Sequence, residues 1–237
     1  MYHVIRARRV VVTTAVLLVL LSYTVAANGA GAATAEVQED PATRVLNDAA
    51  ALEGLLNDYW TQELAGLYEL SFDTPDRFEW YQGSNNALCG GGYENGAENA
   101  YYCPVDSDEY VAFDLDWFTS YLERFPGDAI TFLVLAHEWG HAVQDTWQEQ
   151  QPGVDTWSPA YQKELNADCL AGVFLADSVM AEAIILEDGD AEAIATWFFE
   201  NGSGQWFDPG THGTREERAQ AFADGLVQDA DYCRVTY

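Results

Sequence analysis

The stretch LVLAHEWGHAVQDTW, Leu133 to Trp147, decides how this chain is read. Two histidines, His137 and His141, stand four residues apart in a segment where Leu135, Ala136, Trp139, Gly140, Ala142 and Val143 carry no charge. On an α-helix that spacing places both side chains on one face, one above the other. Two imidazoles can then reach a single cation, and Zn²⁺ is the usual choice for nitrogen ligands in tetrahedral geometry. Glu138 follows the first histidine and points slightly round the helix. That is the place of the general base in an H-E-x-x-H helix. The plainer reading is a pair of polar residues satisfied within the helix.

A catalytic zinc takes three protein ligands and keeps a fourth position open. The sequence ELNADC supplies a third ligand: Glu164, 23 residues beyond His141, on the next predicted helix. Asp168 lies one turn further along the same face. In this scheme Glu164 binds the metal, and Asp168 accepts the far N–H of a ligating histidine, fixing its tautomer and orientation. The swapped assignment, with Asp168 on the metal, remains open because both residue types ligate zinc. Four residue types agreeing with one zinc geometry weigh against the plainer reading. His212, in GTHGTREERAQAF, sits in a Gly-flanked loop before a capped helix. It can swing toward a substrate and stabilise a developing oxyanion, or it is simply a solvated loop residue. Tyr161, three residues before Glu164, is a weaker candidate for the same task and suits packing better.

Composition bounds the rest. The chain has 237 residues, 49% of them apolar, enough for a sizeable core. Its formal charge is −29, and Lys163 is its one lysine. Nucleic acid is therefore excluded as a partner, because neutralising phosphates requires Lys and Arg. Arg6, Arg8 and Arg9 precede an uncharged run from Val10 to Ala27, and small residues follow to Ala35. Residues 1–35 read as a signal peptide cleaved after Ala35, or as a retained membrane anchor, since the run is long enough to span. Either reading places residues 36–237 outside the cytoplasm, in the secreted or cell-surface space. Four cysteines in an oxidising compartment predict two disulfides, Cys89–Cys103 across a Gly-rich loop and Cys169–Cys233 tying a central helix to the C-terminus. Free buried thiols are the alternative.

Periodicity and turn signals predict an α+β, mainly helical domain with a small β-sheet ahead of the histidine helix. A helix is expected over Pro41–Leu64, one or two strands within 67–82, a loop from Gly83 to Ala100 and a strand over Tyr110–Leu115. Helices then follow over Asp116–Phe125, from an Asp128 cap to Gln148, from Ser158–Pro159 to Glu182, over Asp190–Glu200 and over Arg215–Gln228. The last starts at a Thr214/Glu217 capping box.

HEWGHAVQ, ELNADCLAG and GTHGTREERAQAFADG, with Cys89-Gly90 and Tyr102-Cys103-Pro104 upstream, resemble the bacterial neutral zinc metallopeptidase family over roughly residues 85–233. This chain has Ala142 where that family often carries a further histidine. The resemblance implies a zincin-like fold with His137, His141 and Glu164 as zinc ligands and Glu138 as catalytic base, and it raises the standing of His212. The resulting expectation is an exported zinc peptidase acting on a peptide or protein substrate. The alternative is a non-catalytic cell-surface binding or assembly module built round a structural zinc.

Overall fold

The long first helix owes its limits to its ends. In the computed structural model, which describes residues 39–83, 89, 98–105, 108–125, 127–151, 160–202 and 212–237, helix α1 spans Pro41–Tyr68. Asp40 caps it by accepting from the Thr43 N–H, and Pro41 occupies a first-turn position where no N–H is needed. Val45, Ala49, Leu52, Leu56, Trp60 and Leu64 form its buried stripe. The helix runs one turn past the predicted Leu64 and stops where Glu69 turns left-handed, at φ 57°.

Three strands follow: β1 Arg77–Tyr81, β2 Ala100–Cys103 and β3 Tyr110–Asp114. They form a mixed sheet in the order β1-β3-β2, with β1 parallel and β2 antiparallel to β3. Ala100, Tyr102, Val111 and Phe113 face the main core. Tyr101, Cys103, Tyr110 and Ala112 face a smaller cluster with Tyr81. Burial of both faces explains why β2 and β3 lack a hydrophobic-polar alternation. The strand β2 corrects the sequence expectation, which made Ala100 the end of a loop. The sheet stops at the buried Asp114, which caps helix α2, Leu115–Arg124.

Helix α3, Ala129–Gln150, and helix α4, Ala160–Met180, are buried on nearly every side and form the centre of the molecule. Helix α5 is Asp190–Asn201, α6 is Arg215–Gly225 and α7 is Ala230–Thr236. The capping box of α6 is present, with Thr214 Oγ1 accepting from Glu217 N and Glu217 accepting from Thr214 N. The single C-terminal helix predicted to reach Gln228 is two helices. Gly225 ends α6 against α4, and Asp229 caps a new start by accepting from Tyr232 N. Both predicted disulfides form: Cys89–Cys103, and Cys169–Cys233 joining α4 to α7. No helix among the described residues is long and apolar enough to cross a membrane. The Val10–Ala27 run and the Ser158–Pro159 cap lie outside the described residues.

Asp128 precedes α3 as expected but makes no capping hydrogen bond. Its carboxyl lies instead in an acidic corner. Burial, then the charge of Asp48, with smaller contributions from Asp190 and Glu187, pushes its pKa up to about 6. The folded protein therefore holds this proton more tightly than the unfolded chain. The group weakens the fold above about pH 6, and that cost vanishes as pH falls toward the ordinary carboxylate range. Asp128→Asn is expected to stabilise the protein at pH 7 by about 1–2 kcal/mol and to flatten the stability profile between roughly pH 6 and 4. Denaturant titrations across that range will check it.

Helices α4 and α6 meet through glycines. A Cβ on Gly225 would lie 1.9 Å from the Cys169 carbonyl oxygen, and one on Gly172 would lie 2.2 Å from that of Phe222. Gly225→Ala should cost about 3 kcal/mol. Gly54→Ala, on the open face of α1 with nothing within 4 Å, should gain about 0.5–1 kcal/mol. Chemical denaturation of the two variants separates close packing from helix propensity.

Candidate metal centre

Helix α3 brings His137 and His141 to one cleft, and α4 brings Glu164 and Asp168 to face them. The two helices approach closely at Gly140, where an added Cβ would lie 3.0 Å from Ala167 Cα. The small side chains at this crossing let residues one turn away on each helix meet.

The hydrogen bonds set the chemistry of both rings. His137 Nδ1 is 2.8 Å from Asp168 Oδ1, an acceptor when ionised, so this nitrogen carries the proton. His141 Nδ1 is 2.9 Å from Gln144 Oε1. The orientation of that amide is fixed because Gln144 Nε2 donates to the Lys163 carbonyl and to Asn166 Oδ1. His141 Nδ1 is therefore protonated as well. The two Nε2 atoms then face the same cleft only 3.2 Å apart, a spacing that calls for a shared proton or a metal ion between them. Glu164 adds oxygen: Oε2 is 3.2 Å from His137 Nε2 and Oε1 is 3.7 Å from His141 Nε2. These three residues offer ligand atoms lying within 4.8 Å of one another, and the group could hold a metal ion. Two imidazole nitrogens and one carboxylate are a donor set suited to zinc.

Glu164, rather than Asp168, offers the third ligand atom. Both Asp168 oxygens are engaged elsewhere. Beside His137, they receive Arg218 Nε at 2.7 Å and Nη2 at 2.8 Å, in a bidentate pair. Asp168 is fully buried and Arg218 is 4% exposed. Burial alone would raise the Asp168 pKa, but Arg218 and His137 hold it below the ordinary value. Burial likewise opposes charge on His137, yet Asp168, Glu164 and Glu138 raise its pKa to about 10. Glu164 is held well below the usual range against the effect of burial, first by His141, then by hydrogen bonds from His137, His141 and His212.

Glu138 is buried, and its Oε2 accepts from the Tyr102 N–H of β2 at 2.8 Å. His212 lies at the mouth, its side chain 71% exposed, with Nδ1 2.8 Å from Glu164 Oε2. It does not join the three-residue ligand group. Tyr161 packs against the core and does not line the cleft. The cleft measures about 220 Å³ and is walled by Glu98, Ala100, Trp117 and Trp197 beside the polar centre. Sequence reasoning missed Gln144, Asn166, Arg218 and the Tyr102 amide. Gln144 closes the HEWGHAVQ motif three residues after His141, a helical spacing that could have marked it as a partner. Arg218 carries no comparable local signal.

The comparisons agree with this geometry. Residues 22–234 match the family described as "Putative neutral zinc metallopeptidase". Uncharacterized protein YpfJ of Escherichia coli K12 is 28% identical over 189 residues, covering 71% of this chain and 63% of the relative. The protein of the same name from E. coli O6:H1 strain CFT073 matches equally. The chain thus spans just under two thirds of the length of these relatives. No solved structure matches it.

Removing one partner of the buried Asp168–Arg218 pair strands a charge in the core. Asp168→Ala should cost about 3–5 kcal/mol, and Asp168→Ala with Arg218→Met should recover a large part of it. Equilibrium unfolding of the single and double variants measures this. With nearly its whole length matched and this donor set at its centre, the chain belongs to the neutral zinc metallopeptidase family.

Proposed function

We propose that this protein is an exported zinc peptidase that hydrolyses peptide bonds at the His137–His141–Glu164 centre. One observation carries the reading: two imidazole Nε2 atoms lie 3.2 Å apart against a carboxylate. Such an arrangement is stable when a cation lies between the donors. His137, His141 and Glu164 would hold zinc, which when bound lowers the pKa of a coordinated water and polarises a scissile carbonyl.

The chain's own groups supply the remaining chemistry. Glu138, steadied by the Tyr102 amide, takes the water's proton and passes it to the leaving amine. His212, exposed at the mouth, is the donor that steadies the developing oxyanion once it swings from Glu164. Asp168 and Gln144 keep each imidazole proton on Nδ1, and so keep Nε2 available. The β2 edge suits an extended peptide. Backbone groups alternate in direction along a strand, so with the Tyr102 N–H turned to Glu138, the Ala100 N–H and C=O face the same edge. A peptide strand can add there by main-chain hydrogen bonds. Two disulfides support an oxidising compartment outside the cytoplasm.

The competing reading is a structural zinc in a binding module. The absence of His212 from the ligand group favours an open position, and hence catalysis. Glu138→Gln should keep its metal and lose about 10²–10⁴-fold in peptide hydrolysis. Glu164→Ala should lose metal outright, whereas Asp168→Ala should weaken metal affinity about 10–100-fold. Metal analysis with a quenched-fluorescence peptide assay checks all three. Full activity in Glu138→Gln would sink the assignment of the base, and unfolding on chelation would favour the structural zinc.

A further inference from the structure

Resting on the peptidase reading, we infer that Glu98 recognises a positively charged group of the substrate, a lysine or arginine side chain beside the scissile bond. Glu98 lines the same cleft as His137, His141 and Glu164, and its side chain is exposed. Its backbone is left-handed, at φ 63°, which an L-residue adopts only at a cost of about 1–2 kcal/mol. A buried anchor holds it there. The Glu98 N–H donates to Asp114 Oδ2 at 2.8 Å, while Asp114 Oδ1 accepts from Asp116 N at 3.0 Å and Gly83 N at 3.3 Å. Asp114 is 1% exposed, so the carboxylate that caps α2 also fixes the point from which Glu98 projects. Two residues further on, Ala100 begins the β2 edge at which a peptide would lie.

Among the described residues no lysine or arginine of the cleft competes for Glu98. Arg218 also lines it, but two of its nitrogens are committed to the buried Asp168 and its guanidinium lies 4.8 Å from the Trp197 ring. Among the described residues no basic side chain pairs with Glu98. Trp117 adds an indole to the same cleft, and a cleft that offers both a carboxylate and an aromatic ring suits an alkylammonium or guanidinium group. Glu98 and the three ligand residues line one cleft, so a group held by Glu98 shares that cleft with the bond cleaved. A free peptide α-amine carries the same charge, so the two sources have to be separated by experiment.

The test uses zinc-loaded protein and four peptides that share one core sequence. Three are acetylated, carrying Lys, norleucine or Glu beside the cleaved bond. The fourth is the norleucine peptide with a free N-terminus. Affinity is measured on the inert Glu138→Gln background by tryptophan fluorescence, and turnover on the wild-type background. The Lys peptide should bind about fivefold or more tighter than its norleucine counterpart. That ratio should fall toward one in Glu98→Gln, invert in favour of the Glu peptide in Glu98→Lys, and shrink at high salt. A preference that appears only with the free N-terminus, and is lost in Glu98→Gln, would keep Glu98 as the cation receptor but make the α-amine its ligand. Equal Lys and norleucine affinities, or a preference unmoved by both Glu98 substitutions, would overturn the inference even if all four peptides are cut. Binding that follows Glu98 with no turnover on the wild-type background would instead sink the peptidase reading and leave the inference standing.

Discussion

Two imidazole nitrogens held within 3.2 Å of each other are the constraint on which the rest of the structure depends. Left alone, two neutral imidazoles would rotate apart or share a proton. Here neither can turn freely. His137 is tied through Nδ1 to Asp168, and His141 through Nδ1 to Gln144. Both anchors are themselves fixed, Asp168 by Arg218 and Gln144 by the Lys163 carbonyl and Asn166. The close approach is therefore built into the core, and it calls for positive charge between the rings, a proton or a metal ion. This is preorganisation: rigid elements hold the donors, so a cation finds ligands that lose little freedom when it binds.

The polar network costs stability of its own. Asp168, Arg218, Gln144 and Asn166 are all nearly or fully buried, and buried polar groups are tolerated only when satisfied. Their partners come from three helices and the C-terminus. Asn166 donates to the Cys233 carbonyl at 2.9 Å, and Cys233 is bonded to Cys169, the neighbour of Asp168. The disulfide thus ties α7 to α4 at the level where the network needs its outermost acceptor. The glycines at 140, 172 and 225 serve the same end from the packing side, because each lets backbones approach where a side chain would hold them apart. Ligand geometry, helix packing and the redox state of one cystine are parts of a single arrangement.

What could be read from the chain alone follows from the range of each interaction. His137, Glu138 and His141 lie within one helical turn, so periodicity is enough to place them on one face. Glu164 and Asp168 repeat the logic on the next helix, and only their meeting with α3 is tertiary. The four-residue strand β2 was illegible for a different reason. Its strand partner Tyr110–Phe113 is near in sequence, but burial of both faces removes the alternation that marks a half-buried strand, and the Glu138 carboxylate that its Tyr102 N–H meets lies on another element. Arg218 is 50 residues from Asp168, on a helix whose start was readable but whose buried contact was not. Asp128 shows the limit of a local signal: it marks the start of α3 correctly, yet the hydrogen bond that its residue type suggests is not made.

The acidic character of the chain is consistent with a centre whose residues could hold a metal ion. A formal charge of −29 gives a field that draws cations toward the surface, screened in physiological salt over about 8 Å. At the cleft the field is no longer diffuse, because Glu98, Glu138 and Glu164 line one small cavity. The guanidinium of Arg218, on the same cleft wall, is engaged with Asp168 and neutralises the buried anion that orients His137. Its positive charge is thereby paired with a carboxylate and serves ring orientation. Of the three carboxylates Glu98 is the exposed one, while Glu138 is held by the Tyr102 amide and Glu164 faces the histidines.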